Sequence, residues 1–135
     1  MSLNQITPAL GTFSTVLMLG NNFGLFANRE KARRLLRRLH RATTPNARII
    51  AESLDPYQTT NPFHLAYQRR NRQRGRMAGQ VRIKVRYQRY ATPWFDYLFV
   101  SRKEMARILR GTGWTVKRFI PPDGYLYVAV IVKAD

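Results

Sequence analysis

The sequence predicts an α/β fold built as one domain, and three features predict it. An apolar run, an arginine-rich amphipathic segment and a second apolar run follow one another between residues 13 and 51; Ser101 opens a helix with a complete capping signature; and two apolar segments flank Pro121-Pro122-Asp123-Gly124 near the end. With 135 residues, 44% of them hydrophobic, the chain is long enough for one core and too short for two.

Phe13 to Leu19 is apolar enough for a strand buried on both faces, as in a parallel sheet. Gly20-Asn21-Asn22-Phe23-Gly24 follows at once, rich in the residues that best adopt positive φ, so a sharp turn is expected there. Asn28 is placed to cap a helix over 29–41, with Glu30 in its first turn; Ala32, Leu35, Leu36 and Leu39 form one apolar stripe, and arginines cover most of the remainder. Thr43-Thr44-Pro45-Asn46 breaks this helix, Ala47 to Ala51 reads as a strand, and Asp55-Pro56 closes it. A strand, helix, strand crossover makes the two strands parallel.

Residues 56–100 read as a basic, aromatic insertion: a short helix near 63–72, a glycine-containing loop, a strand in which Val81, Ile83, Val85 and Tyr87 alternate with polar residues, and an antiparallel partner over 94–100. Ser101 and Glu104 then form a capping box for a helix whose core face holds Met105, Ile108 and Leu109. Gly111 or Gly113 ends that helix, and residues 114–120 and 126–132 form a closing hairpin. Residues 1–12 read as a linker entering the first strand.

Composition narrows the chemistry. No cysteine is present, which excludes disulfides, thiolate metal sites and thiol nucleophiles and suits a reducing compartment, the cytoplasm by default. The run Val16 to Leu19 is far too short to span a bilayer, so no membrane segment is expected. A formal charge of +17, from 24 basic and 7 acidic residues, attracts polyanions, with Arg69 to Arg76 as a candidate surface; arginines spread over solvated faces with no nucleic acid partner are the plainer account.

The order of these elements, with Phe13 to Asn22, Ala47 to Glu52, Ser101 to Ile120 and Tyr125 to Lys133 in sequence, resembles the C-terminal half of a class I S-adenosylmethionine-dependent methyltransferase. The resemblance implies a partial Rossmann-like sheet, from the family's fourth to its seventh strand, ending in an antiparallel hairpin. It also implies that the chain starts in mid-fold, without the glycine-rich loop and the ribose-binding acid that belong to the first two strands. The family usually has an acidic residue where Ser14 stands here.

S-adenosylmethionine is the implied cofactor, and the implied activity is methyl transfer to an unidentified acceptor, silent without the missing half. In that reading Leu19, Gly20, Asn21 and Asn22 lie beside the sulfonium, Phe23 and Phe26 wall the substrate side, and Glu52 and Asp55 form a ligand-facing rim. Tyr57, His64 and Trp94 of the insertion complete the substrate side. Asparagines satisfying their own turn and Asp55 acting only as a turn residue are the plainer alternatives. In-line transfer from a sulfonium is catalysed by positioning, so no catalytic residue and no metal is expected. A missing partner strand also leaves residues 13–19 as an open edge, which predicts self-association. The competing function is a small basic nucleic-acid-binding module using the arginines of the insertion.

Overall fold

A computed structural model describes residues 3–135; Met1 and Ser2, the start of the expected linker, lie outside the described residues. A four-stranded mixed sheet carries the molecule. Its strands are β1 (Phe13–Met18), β2 (Thr43–Leu54), β7 (Trp114–Ile120) and β8 (Leu126–Lys133), in the order β1-β2-β8-β7. β1 and β2 are parallel, while β8 runs antiparallel to both β2 and β7, so the closing hairpin does lie at one sheet edge, with β8 inserted beside β2.

Helix α1 (Arg29–Arg41) makes the crossover between β1 and β2. It starts where expected because the Asn28 side chain accepts from Lys31 N–H at 2.9 Å, and its stripe of Ala32, Leu35, Leu36 and Leu39 is buried. At its other end Lys133 Nζ donates to the carbonyls of His40 and Thr43 at 2.8 and 2.9 Å, placing a cation on the negative end of the helix. Helix α3 (Arg102–Leu109) begins with the full capping box: Glu104 N–H donates to Ser101 Oγ at 3.2 Å, and Ser101 N–H donates to Glu104 Oε1 at 2.9 Å. Both helices pack with Met18, Ile49, Ala51, Tyr127 and Ile131 in one core on one face of the sheet.

The insertion contains α2 (Pro62–Gln73) and a two-stranded arm of β3 (Gln80–Ile83) against β6 (Phe95–Leu98), tipped by β4 (Arg86–Tyr87) and β5 (Tyr90–Ala91).

Four expectations change. β1 is not buried on both faces: Val16 and Met18 turn to the core, but Leu17 is 63% exposed, because β1 is the sheet edge and no helix of the described residues covers that face. β2 is longer than its apolar run, since Thr43 to Asn46, read as a helix breaker, already forms its first turn of strand and Thr43 pairs with Phe13. The alternating strand from Val81 to Tyr87 is interrupted at Lys84 and Val85, where Val85 turns its N–H to Thr92 Oγ1 at 3.0 Å. The stretch read as a linker holds two short 3-10 turns, and Leu3 and Ile6 lie against the core.

Candidate functional site

β1 ends at Met18, and the chain must reverse into α1 at the carboxyl end of the parallel pair, the rim where open α/β sheets take ligands. The reversal uses positive φ at Gly20 (+65°) and at Asn21 (+62°), the latter tolerable to an asparagine as to few other side chains. Gly20 faces open space, and Leu19 beside it is 49% exposed.

Two residues from elsewhere hold this turn. Glu52 Oε2, near the end of the neighbouring β2, accepts from Gly20 N–H at 2.6 Å. The Tyr97 hydroxyl, on β6 of the arm, donates to the Asn21 carbonyl at 2.5 Å and lies 3.4 Å from Asn22 Oδ1. Burial first, and then the Glu52 charge, raises the Tyr97 pKa and keeps the phenol protonated as a donor. Gly24 is required by the same contact: a Cβ there would sit 2.2 Å from Tyr97 Cε1. Asn21 Oδ1 is enclosed and has no hydrogen-bond partner among the described residues.

Leu19, Gly20, Asn21, Asn22 and Glu52 are thus brought together. Phe23 and Phe26 are not part of that surface; both are fully buried, edge-on to each other with centroids 5.0 Å apart, because this apolar pair anchors the turn to the core. Asp55 acts as a turn residue: its Oδ1 accepts from Tyr57 N–H at 3.0 Å and its own N–H donates to the Tyr125 carbonyl at 2.8 Å. Tyr57 donates to Glu104 Oε2 at 2.9 Å and lies under the Arg72 guanidinium, 5.6 Å from the ring centre. Burial and the Glu104 carboxylate raise its pKa. Asp55 and Tyr57 border a hollow of about 480 Å³ beside the start of α3.

His64 lies elsewhere, in a cleft of about 630 Å³ between α2, the end of β2 and the arm, lined also by Leu54, Phe63, Tyr67, Val81 and Tyr125. Its Nδ1 is 2.9 Å from Thr59 Oγ1. Trp94 lines neither hollow; it is 57% exposed at the arm, with Lys84 Nζ 5.3 Å from its ring centre. The other histidine, His40, is a packing residue: its ring lies edge-on to Trp114 at 5.7 Å and fills the space above Gly113.

Tyr97, which ties the arm to the strand-end turn, is the residue that sequence reasoning left out of the site. Its signal was Gly24, a glycine in a turn whose φ does not demand one. Among the described residues no group of histidines and acids could hold a metal ion, and no helix is long and apolar enough to cross a membrane.

The sequence matches no family model and no curated relative. Its structure is similar to that of a SAM-dependent methyltransferase from Bacteroides fragilis, solved in complex with S-adenosyl-L-homocysteine: TM-score 0.71, 20% identity, 92% of this chain and 49% of that one. It is also similar to CcbJ methyltransferase from Streptomyces caelestis (TM-score 0.55, 11% identity, 91% and 61% of the two chains) and to mitomycin 7-O-methyltransferase MmcR (TM-score 0.52, 17% identity, 90% and 30%). The chain spans about half the length of the first of these, or 49%. Over the described residues, the chain shares its α/β fold with part of each of these methyltransferases.

Proposed function

We propose that this chain takes part in S-adenosylmethionine-dependent methyl transfer and contributes the strand-end turn Leu19–Asn22 to the cofactor site. The observation that carries the reading is this turn: an open glycine and an enclosed, unpartnered Asn21 Oδ1, at the carboxyl end of β1, on a fold shared with a methyltransferase solved with its demethylated cofactor. An unpartnered buried acceptor is costly unless something donates to it; a bound cofactor carries donors in its amino and hydroxyl groups, and rotation of the enclosed Asn21 amide toward the open side of the turn would present Oδ1 to them. When bound, the cofactor supplies the methyl group and its leaving sulfur; the chain's part is to orient and to exclude water. Glu52, spent on Gly20 N–H, shapes the turn.

Calorimetry of S-adenosylhomocysteine against the full-length product of the gene tests this. Binding is expected, and Asn21→Gly, which preserves the positive φ and removes the amide, weakens it about tenfold, or about 1.4 kcal/mol. No heat of binding in the parent protein overturns the proposal.

Two partner readings accompany it. The unpaired edge of β1 supports self-association, and sedimentation as a monomer at high concentration counts against it. The exposed arginines between residues 69 and 76 and the arm, where Tyr87, Tyr90 and Trp94 stand exposed among cations, support polyanion binding. Unchanged heparin retention after charge reversal across Arg69 to Arg76 sinks that reading.

A further inference from the structure

Helix α2 is fixed in an inverted manner. Its buried residues are polar, Gln68 and Asn71, whereas Phe63, Leu65 and Tyr67 stand 83%, 40% and 38% exposed. The polar pair act as anchors: Gln68 Nε2 donates to the Pro56 carbonyl at 2.6 Å, and Asn71 Nδ2 donates to the carbonyls of Ala78 and Gln80 at 3.0 and 2.7 Å. A helix held by hydrogen bonds, with aromatic rings turned outward, forgoes the usual gain from burying them. Phe63 and Tyr67 both turn into the cleft of about 630 Å³ that also holds His64, a volume suited to a small molecule.

The lining of this cleft contains no arginine, lysine, aspartate or glutamate, in a chain with 24 basic residues. Its walls are largely aromatic or aliphatic, with Phe99, Tyr125, Leu54 and Pro56 lining it beside the rings of α2. The polar side chains set among them are uncharged, Gln58, Thr59 and Gln68, together with the His64 imidazole, which is steadied through Nδ1 by Thr59 Oγ1; that hydroxyl also accepts from Asn61 N–H at 3.2 Å. Leu54 lies two residues beyond Glu52 on the same face of β2, roughly 7 Å along the strand. The cleft therefore adjoins the end of the strand whose Glu52 holds the strand-end turn.

We infer that this cleft binds a neutral, planar, largely apolar small molecule that directs a hydroxyl or carbonyl to His64, and, resting here on the methyltransferase reading, that this molecule is the methyl acceptor. The aromatic walls select a flat ligand by stacking and area, and the uncharged lining rejects an ion that would lose its hydration without a counter-charge.

The test is an amide NMR titration of the full-length gene product with 2-naphthol and with naphthalene-2-sulfonate, the same ring system bearing a charge. Saturable shifts at His64, Tyr67 and Val81 below about 1 mM 2-naphthol are expected, with the sulfonate at least about tenfold weaker. Phe63→Ser, at a site too exposed to affect folding, should weaken 2-naphthol at least about tenfold with the rest of the spectrum unchanged. No saturable shift at those three residues, equal affinity for the sulfonate, or indifference to Phe63→Ser overturns the inference. S-adenosylhomocysteine binding measured on the same sample separates the two readings: cofactor without naphthol removes the cleft, and naphthol without cofactor leaves the cleft but removes the acceptor role.

Discussion

The two faces of the central sheet use the same kinds of residue to opposite ends. Toward α1 and α3, the rows Val16-Ile49-Ile131-Val116 and Met18-Ala51-Ala129-Phe119 are packed in or against the core. On the reverse, Leu17, Ile50, Val130 and Arg118 form a row, followed by Glu52, Val128 and Ile120; there Leu17 is 63% and Ile120 48% exposed, and of these only Val130 is buried. Alternation in the strands is thus not a guide to which apolar set is buried, because apolar residues occupy both parities.

The difference sets the expected sizes of substitutions. Leu36→Ala, under the packed face, should cost about 3 kcal/mol in denaturant unfolding, by lost transfer and the cavity left behind. A value below about 1 kcal/mol would mean that this face is not the stabilising one. Ser101→Ala removes the cap that starts α3 on that same face and should cost about 1 kcal/mol. Leu17→Lys, on the reverse, should change stability by less than about 0.5 kcal/mol while shifting sedimentation toward monomer. A large loss of stability would show that this face is covered in solution.

A smaller effect sits at the end of α1. Burial first, then Lys133 and Arg41, lower the His40 pKa below its ordinary 6.5, so the fold favours the neutral ring and the unfolded chain binds the extra proton more readily. The stability held by neutral His40 is complete above 6.5 and is lost as pH falls below it. His40→Gln should flatten the unfolding midpoint between about pH 7 and pH 5; an unchanged slope would assign it to another group.

Elements with a local physical signature were legible in the sequence. Asn28 and Ser101 mark helix starts through their own side chains, and the stripe of α1 names its buried residues without reference to the rest of the chain. The turn after β1 was legible for the same reason, being written in glycine and asparagine. What could not be read depends on contacts far apart along the chain. Phe23 and Phe26 follow the turn as closely as any ligand wall would, and only the arrival of the core shows that they face inward. The clamp of Tyr97 on Asn21 joins residues 76 positions apart, and the anchoring of α2 through Gln68 and Asn71 runs against the hydrophobic pattern on which helix reading relies.

The clamp reaches further than the turn that it holds. Tyr97 pairs across the arm with Val81, and Val81 lines the cleft of α2, so one strand pair has a side chain at each of the two places. A shift of this strand pair on filling of the cleft would therefore be felt at the turn. Were both proposed ligands to bind, any factor that one adds to the affinity of the other would be returned in equal measure, and Tyr97→Phe is the substitution expected to reduce it.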